Sequence, residues 1–242
     1  MSVVQLERMT WPEVAAALEV GKRTVIVPVG ASEQHGPHLP EATDTLLAEA
    51  LAVRIAERLG DALVAPSVRP GFSEHHMGFP GTITFSEDLL LSVLDAYVAS
   101  LTRHGFKRIV VFSTHGGNYP ALGKWRPAST GVIVLHDLNG FLGAMLGGIR
   151  KFGRNDTTTP HADVSETSEM LALHPDLVRT QLIERGFVGE VSLAELLEKG
   201  LRAISPIGVL GDPVGSSPEI GVGVIESLVT YFVTQCQQHV EA

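Results

Sequence analysis

The chain contains one cysteine among its 242 residues, Cys236, which rules out an intrachain disulfide and fits a reducing compartment. Basic residues are also few. Against 27 Asp and Glu stand 18 Lys and Arg, scattered instead of forming a stripe, for a formal net charge of -9. Such a surface repels a phosphate backbone, so nucleic acid is not an expected partner. No basic apolar leader and no long uninterrupted apolar span occurs; neither secretion nor membrane insertion is expected, and the expected location is cytoplasmic. Nucleotide and serine-hydrolase motifs are missing too. Gly221-Val-Gly223 lacks the third glycine and the preceding strand of a dinucleotide fingerprint, and no Gly-x-x-x-x-Gly-Lys-Ser/Thr is present. No serine sits in a Gly-x-Ser-x-Gly elbow, which argues against covalent serine catalysis.

What is present suits a compact enzyme. A hydrophobic content of 44% over this length can bury a large core within one domain spanning residues 1–242. Four short, β-branched runs, 24–30, 61–67, 107–113 and 131–136, read as buried strands, and the periodic runs 45–59 and 86–103 as amphipathic helices. A C-terminal helix is expected over 217–239, with Cys236 as a packed thiol. This alternation predicts an α/β fold, a single-domain α/β/α sandwich on a mainly parallel central sheet. The glycine-interrupted apolar segment 138–152 is expected to cover a pocket or to pack between subunits.

Three clusters of chemistry-bearing residues follow the strand and helix boundaries. The first is Ser32-Glu-Gln-His-Gly-Pro-His-Leu-Pro-Glu-Ala-Thr-Asp44, directly after the first strand, where the loops of open α/β sheets build sites. Glu33 and His35 are two apart and share a side of an extended chain, while Gly36, Pro37 and Pro40 curl it so that Asp44 can return. Two carboxylates and an imidazole suit Zn²⁺ or Mn²⁺, and a carboxylate can bridge two ions. The competing reading is a polar loop in which Thr43 or Asp44 caps the next helix. The second cluster, Thr114-His-Gly-Gly-Asn118, ends the strand at 113; its glycines let the backbone approach a ligand. The third is Pro160-His-Ala-Asp-Val-Ser-Glu-Thr-Ser-Glu169, which opens a helix. There Ser165 or Thr167 reads as a cap, and Glu166 or Glu169 as a first-turn acid meeting the helix dipole. Glu74-His75-His76 looks like a metal cluster but sits in a Gly/Pro-bounded loop, and is expected to line the pocket or a subunit contact.

In order and spacing, the three clusters resemble the creatininase (creatinine amidohydrolase) family, whose members carry E-x-H-G-x-H-L-P-x-x-T-D, H-G-G-N and H-A-x-x-x-E-T-S. The resemblance spans nearly the whole chain, because Gly71-Phe-Ser-Glu-His-His-Met-Gly-Phe-Pro-Gly-Thr82 is similar to the family's loop before F-P-G-T and Gly208-Val-Leu-Gly-Asp-Pro213 to its G-x-x-G-D-P. It implies a creatininase-like fold and a hydrolase with one or two divalent ions, zinc, manganese or iron. One ion would be held by Glu33, Asp44 and His115, the other by His35 and the shared Asp44. Creatininase proper has a further glutamate ligand where this chain has Gly117. Glu166 is the nominated replacement, though it can equally hold a histidine's ring. Creatininase proper also places a tryptophan near its substrate, at the position of Thr157 here, and neither Trp11 nor Trp125 obviously replaces it.

The reaction implied is metal-assisted hydrolysis of a non-peptide C–N bond, a cyclic or linear amide in a small molecule, by activated water. His161 is the expected proton-transfer group and Glu166 is counted beside it as catalytic; His75 and Asn118 are expected in the substrate pocket. Relatives of this kind trim a ribosomal precursor peptide, cleave a formamide, or open a cyclic sugar-derived ketone, so these are the alternative reactions. A non-catalytic, metal-stabilised scaffold is the remaining reading. The resemblance further implies a homo-oligomer, hexamers being common in the family, with a small molecule as substrate.

Overall fold

Period-two alternation of β-branched residues sorts each strand's side chains onto two buried faces. In the computed structural model, which describes residues 4–155 and 160–239, the strands are β1 (Thr24–Val29), β2 (Ala62–Val64), β3 (Arg108–Ser113) and β4 (Val132–Leu135). They form an all-parallel sheet in the order β2-β1-β3-β4. Val25, Val27 and Val29 of β1 join Ile109 and Val111 of β3 on one side, while Ile26 joins Val110 and Phe112 on the other. Each strand is shorter than its apolar run. β2 ends at Val64, although Ala65 and Val68 beyond it still donate to the Ile26 and Pro28 carbonyls of β1.

Helices cover both faces. On the Val25 side lie α1 (Trp11–Glu19), α3 (Glu87–Arg103) and α4 (Tyr119–Lys124); Leu90 and Leu94 of α3 and Trp125 after α4 fill that layer. On the Ile26 side lie α2 (Thr43–Leu59), α5 (Leu138–Arg150) and α9 (Pro218–Gln238), with α6 (Val164–Leu173) packed on α9. Two short helices, α7 (Leu193–Lys199) and α8 (Leu201–Ile204), follow α6 in the chain. The i, i+3, i+4 spacing of Ile225, Leu228, Val229 and Phe232 fixes the buried stripe of α9, each side chain contributing about 2 kcal/mol of burial. Among the described residues no helix is long and apolar enough to cross a membrane.

Two helix starts differ from the sequence expectation, and both matter for the site. α2 begins at Thr43, with Ala42 as N-cap and no side-chain cap, because the Thr43 hydroxyl donates to the Pro40 carbonyl at 2.7 Å. Neither Thr43 nor Asp44 is therefore the cap. α6 is capped by Asp163, whose carboxylate accepts from the N–H groups of Ser165 and Glu166, and not by Ser165 or Thr167. The segment expected over 138–152 becomes α5. Its Phe141, Met145 and Ile149 pack into the core, and Leu138, Asn139, Phe141 and Leu142 border the cavity described below.

Candidate metal centre

Because chain order reverses between β1 and β3, their C-terminal ends open onto the crevice where such sheets bind ligands. The register pairs Val29 with Ser113, so the loops carrying Glu33 and His115 leave the sheet side by side. The Thr114 hydroxyl donates to the Asp44 backbone carbonyl at 2.8 Å, tying the start of α2 to the end of β3. Two separate stretches of sequence thus meet above two neighbouring strands.

The side chains converge closely and are almost fully buried. His35 Nε2 lies 3.6 Å from Asp44 Oδ1 and 3.8 Å from Glu166 Oε2. His115 Nδ1 lies 3.1 Å from Glu33 Oε1 and 3.5 Å from Asp44 Oδ2, and His161 Nδ1 is 4.0 Å from Glu33 Oε1. Glu33, His35 and Asp44 make one group of ligand atoms within mutual reach of a single ion; His35, His161 and Glu166 make a second. Both oxygens of Glu33, Oδ2 of Asp44 and Nε2 of His35 are buried without a hydrogen-bond partner. Groups of this kind are costly to leave unsatisfied, and a divalent cation bonded to O and N donors satisfies them all.

Hydrogen bonds on the far side of each ring set which nitrogen can serve an ion. The His35 Nδ1–H donates to the Glu33 carbonyl at 3.1 Å and the His115 Nε2–H to the Phe72 carbonyl at 2.9 Å, so the opposite nitrogen of each ring faces the centre and offers a lone pair once its proton is lost. Burial opposes charge on both rings, but the surrounding carboxylates outweigh it. His35 is raised to about 10, chiefly by Asp44, and His115 to about 9, chiefly by Glu33. Burial pushes Glu166 up to about 7, while His35 overcomes burial at Asp44 and holds it at about 2. Burial drives His161 and His76 well below the ordinary imidazole range, and His75 down to about 3.

Glu166 comes from the first turn of α6, and its Oε2 accepts the Ala162 N–H at 2.6 Å. Ala162 holds φ = 50°, the left-handed region, which turns the chain sharply between His161 and the α6 cap. Gly117 stands where creatininase proper has a ligand, and the space there is closed. A Cβ at 117 would come within 2.6 Å of the Phe72 carbonyl oxygen and would also meet His115 Nε2. In this backbone no carboxylate fits at that position, whereas Glu166 reaches the centre from the opposite wall.

Other expected residues are placed as follows. His75 lines the cavity and stacks on His115, ring centroids 5.6 Å apart. Asn118 is not in the cavity wall: its amide is spent on the Phe72 N–H, the Gly30 carbonyl and Ser113 Oγ, holding the two strand-end loops together. His38 faces α6 and pairs with Thr167 Oγ1 at 2.8 Å. Trp125 is buried against α3, where it donates to Asp95, and Trp11 is exposed on α1, so neither reaches the cavity. Thr157 lies outside the described residues. His76, expected with His75 to line the pocket or a subunit contact, lines the cavity, and its Nε2 lies 3.2 Å from Glu33 Oε1; Gln34, which touches both His76 and His161, was not among the expected site residues. The position of Gln34 between two ligand-type residues was the available signal.

Above the centre opens a cavity of about 540 Å³. Its floor is Asp44, His75, His76, His115, His161 and Glu166; its walls are largely apolar, from Leu138, Leu142, Val191, Leu196 and Leu201.

Comparison with known proteins agrees with this geometry. The chain is 36% identical over 218 residues to a mycofactocin precursor peptide peptidase of Mycolicibacterium smegmatis, covering 85% of this chain and 81% of that one. It is 35% identical over 187 residues to a creatinine amidohydrolase of Pseudomonas putida, covering 70% and 72%. Among solved structures, a Zn-Zn form of a mutant creatininase superposes with a TM-score of 0.78 at 26% identity, covering 99% of each chain. Residues 7–236 match the profile of the creatininase family, described as creatinine amidohydrolase, and the chain therefore belongs to that family of metal-dependent hydrolases.

Proposed function

We propose that Glu33, His35, Asp44, His115 and Glu166 hold one or two divalent ions, zinc or manganese, and that the site hydrolyses the C–N bond of an amide. The observation that carries this reading is the set of buried, unpartnered ligand atoms on Glu33, Asp44 and His35 facing one another at the switch point of the sheet. A divalent ion bound there lowers the pKa of water towards neutrality and polarises a carbonyl. Asp44 would be shared between two ions, since its two oxygens face His35 and His115 separately. Glu166 takes the place that Gly117 leaves open. His161 is kept neutral by burial, with Nε2–H on the Gln34 carbonyl at 2.8 Å and a bare Nδ1 towards the centre. It accepts a proton from the attacking water and delivers it to the departing nitrogen.

The cavity supports a substrate larger than a single five-membered ring. A volume of about 540 Å³ lies within the range that encloses drug-sized ligands, and its apolar walls suit an amide with an apolar body. The tryptophan that creatininase proper uses is absent from these walls. We therefore place a bulkier small-molecule amide first. Cleavage near the end of a peptide is the second reading, favoured by the similarity to the M. smegmatis peptidase. The assay is mass-spectrometric detection of products after incubating zinc-loaded or manganese-loaded protein with creatinine, N-aryl acetamides, larger lactams and short peptides with apolar C-termini. Turnover of an aryl amide or lactam above creatinine supports the first reading, and turnover confined to peptides the second. Failure on all, in protein whose oligomer dissolves on metal removal, would favour a scaffold. A homo-oligomer belongs to the same proposal and rests on the family resemblance.

A further inference from the structure

His76 lies against Glu33, His161 and Gln34, and by distance alone Glu33, His76 and His161 make a third group able to hold an ion. The hydrogen bonds of Gln34 decide between a ligand and a donor. Its Oε1 accepts the Gly36 N–H at 2.8 Å, which fixes the amide's orientation and turns Nε2 the other way. There Nε2 donates to the Gly208 carbonyl at 3.2 Å and meets His76 Nδ1 at 3.1 Å. An NH₂ group only donates, so His76 Nδ1 is the bare nitrogen and Nε2 carries the hydrogen. That places an N–H on the side of the ring facing Glu33, whose Oε1 lies 3.2 Å from Nε2.

The same residue sets His161 in the opposite sense. The Gln34 backbone carbonyl, which can only accept, lies 2.8 Å from His161 Nε2, a shorter contact than the 3.1 Å to the side-chain nitrogen. His161 Nε2 therefore carries the hydrogen, leaving Nδ1 bare towards the centre. The cradle is built for this glutamine: Gly208 has φ = 77°, and a Cβ there would overlap Gln34 Oε1.

We propose that Gln34 is a positioning residue that fixes the tautomers of His76 and His161 in opposite senses, so that His76 faces Glu33 with an N–H and not with a metal-ligating lone pair. The consequence for Glu33 rests on the metal-centre reading; the tautomers do not. With that N–H beside it, the Glu33 carboxylate is held by charge attraction while both its oxygens stay available to an ion. Outer partners of this kind tune metal affinity by roughly 10–100-fold.

Neutron diffraction from deuterium-exchanged, zinc-loaded crystals tests the proposal directly. The expected map shows deuterium on His76 Nε2 and His161 Nε2, with none on His76 Nδ1. Zinc on His76 Nε2, or deuterium on its Nδ1, overturns the proposal. Gln34→Glu supplies a second readout, because a carboxylate facing His76 Nδ1 draws the hydrogen to that nitrogen. An unchanged His76 tautomer in Gln34→Glu would also overturn it; if that variant does not fold, the native map alone decides. Zinc release into a chelator gives a third. His76→Ala is expected to speed it about 10-fold, and His76→Gln, which keeps an N–H donor, to restore it to within about threefold. Equal loss of an ion in both variants would mark His76 as a ligand. Native protein that takes up no zinc would sink the metal centre itself, while the proton positions in those crystals would still decide the tautomers.

Discussion

Loading zinc into the metal-free protein at pH 7 should release about two protons per chain from the imidazoles alone. The acidic surroundings outweigh burial and raise His35 to about 10 and His115 to about 9, so both rings are protonated before the ion arrives. Each must shed its proton to become a ligand. At about 1.4 kcal/mol per pH unit, deprotonation at pH 7 costs about 4 kcal/mol for His35 and about 3 kcal/mol for His115. Because each ring serves a different ion, the costs lower the two apparent affinities separately, roughly 10³-fold at the His35 site and 10²-fold at the His115 site, and each affinity should climb about 10-fold per pH unit between 7 and 9. The slope fades once the pH passes about 10. Metal-free stability should run the other way. Both rings have folded pKa values above the unfolded value near 6.5, so their contribution is complete below that pH and is lost as pH rises through 9 to 10. Calorimetric zinc titrations in buffers of different ionisation enthalpy count the protons, and repeating them across pH gives the slope. Heat independent of buffer, with affinity flat from pH 7 to 9, would refute the assignment of these two histidines as ligands.

Further outcomes follow from individual contacts. Glu166→Gln removes the carboxylate 3.8 Å from His35 Nε2 and should cut zinc from two ions to one by elemental analysis; two retained ions would argue against its nomination. Gly117→Glu, despite restoring the residue type of creatininase proper, should add no ion and should destabilise the protein by about 1–3 kcal/mol in urea, because its Cβ has no room beside the Phe72 carbonyl. His161→Ala should lower kcat roughly 10²–10⁴-fold with metal content unchanged; a lost ion would recast His161 as a ligand. Phe112→Ala, fully buried against Phe232 with ring centroids 4.7 Å apart, should cost about 3–5 kcal/mol in chemical denaturation, and a loss below 1 kcal/mol would contradict the packing described.

The sheet and its layers were readable because β-branched runs and amphipathic periods are local patterns. Helix starts were less so: Thr43 and Ser165 look like caps, but the Thr43 hydroxyl turns back to the Pro40 carbonyl and Asp163, two residues before Ser165, takes the cap instead. At the site, residue types at strand ends pointed to Glu33, His35, Asp44 and His115, which the fold brings together. What stayed hidden depends on contacts between distant segments. The place of His76 beside Glu33 joins residues 43 positions apart, and the closure of space at Gly117 depends on the Phe72 backbone. Asn118 looked like a pocket residue because it follows a histidine and two glycines, yet its amide is consumed by backbone groups that no local pattern displays.

The most direct test of a two-ion centre bridged by Asp44 is metal content per chain, measured in native protein and in Asp44→Ala, alongside hydrolysis of the amide panel. The account predicts two ions in the native protein and loss of both ions and of turnover in the variant. A single ion that Asp44→Ala leaves in place would contradict the bridging role and, with it, the assignment of Glu166.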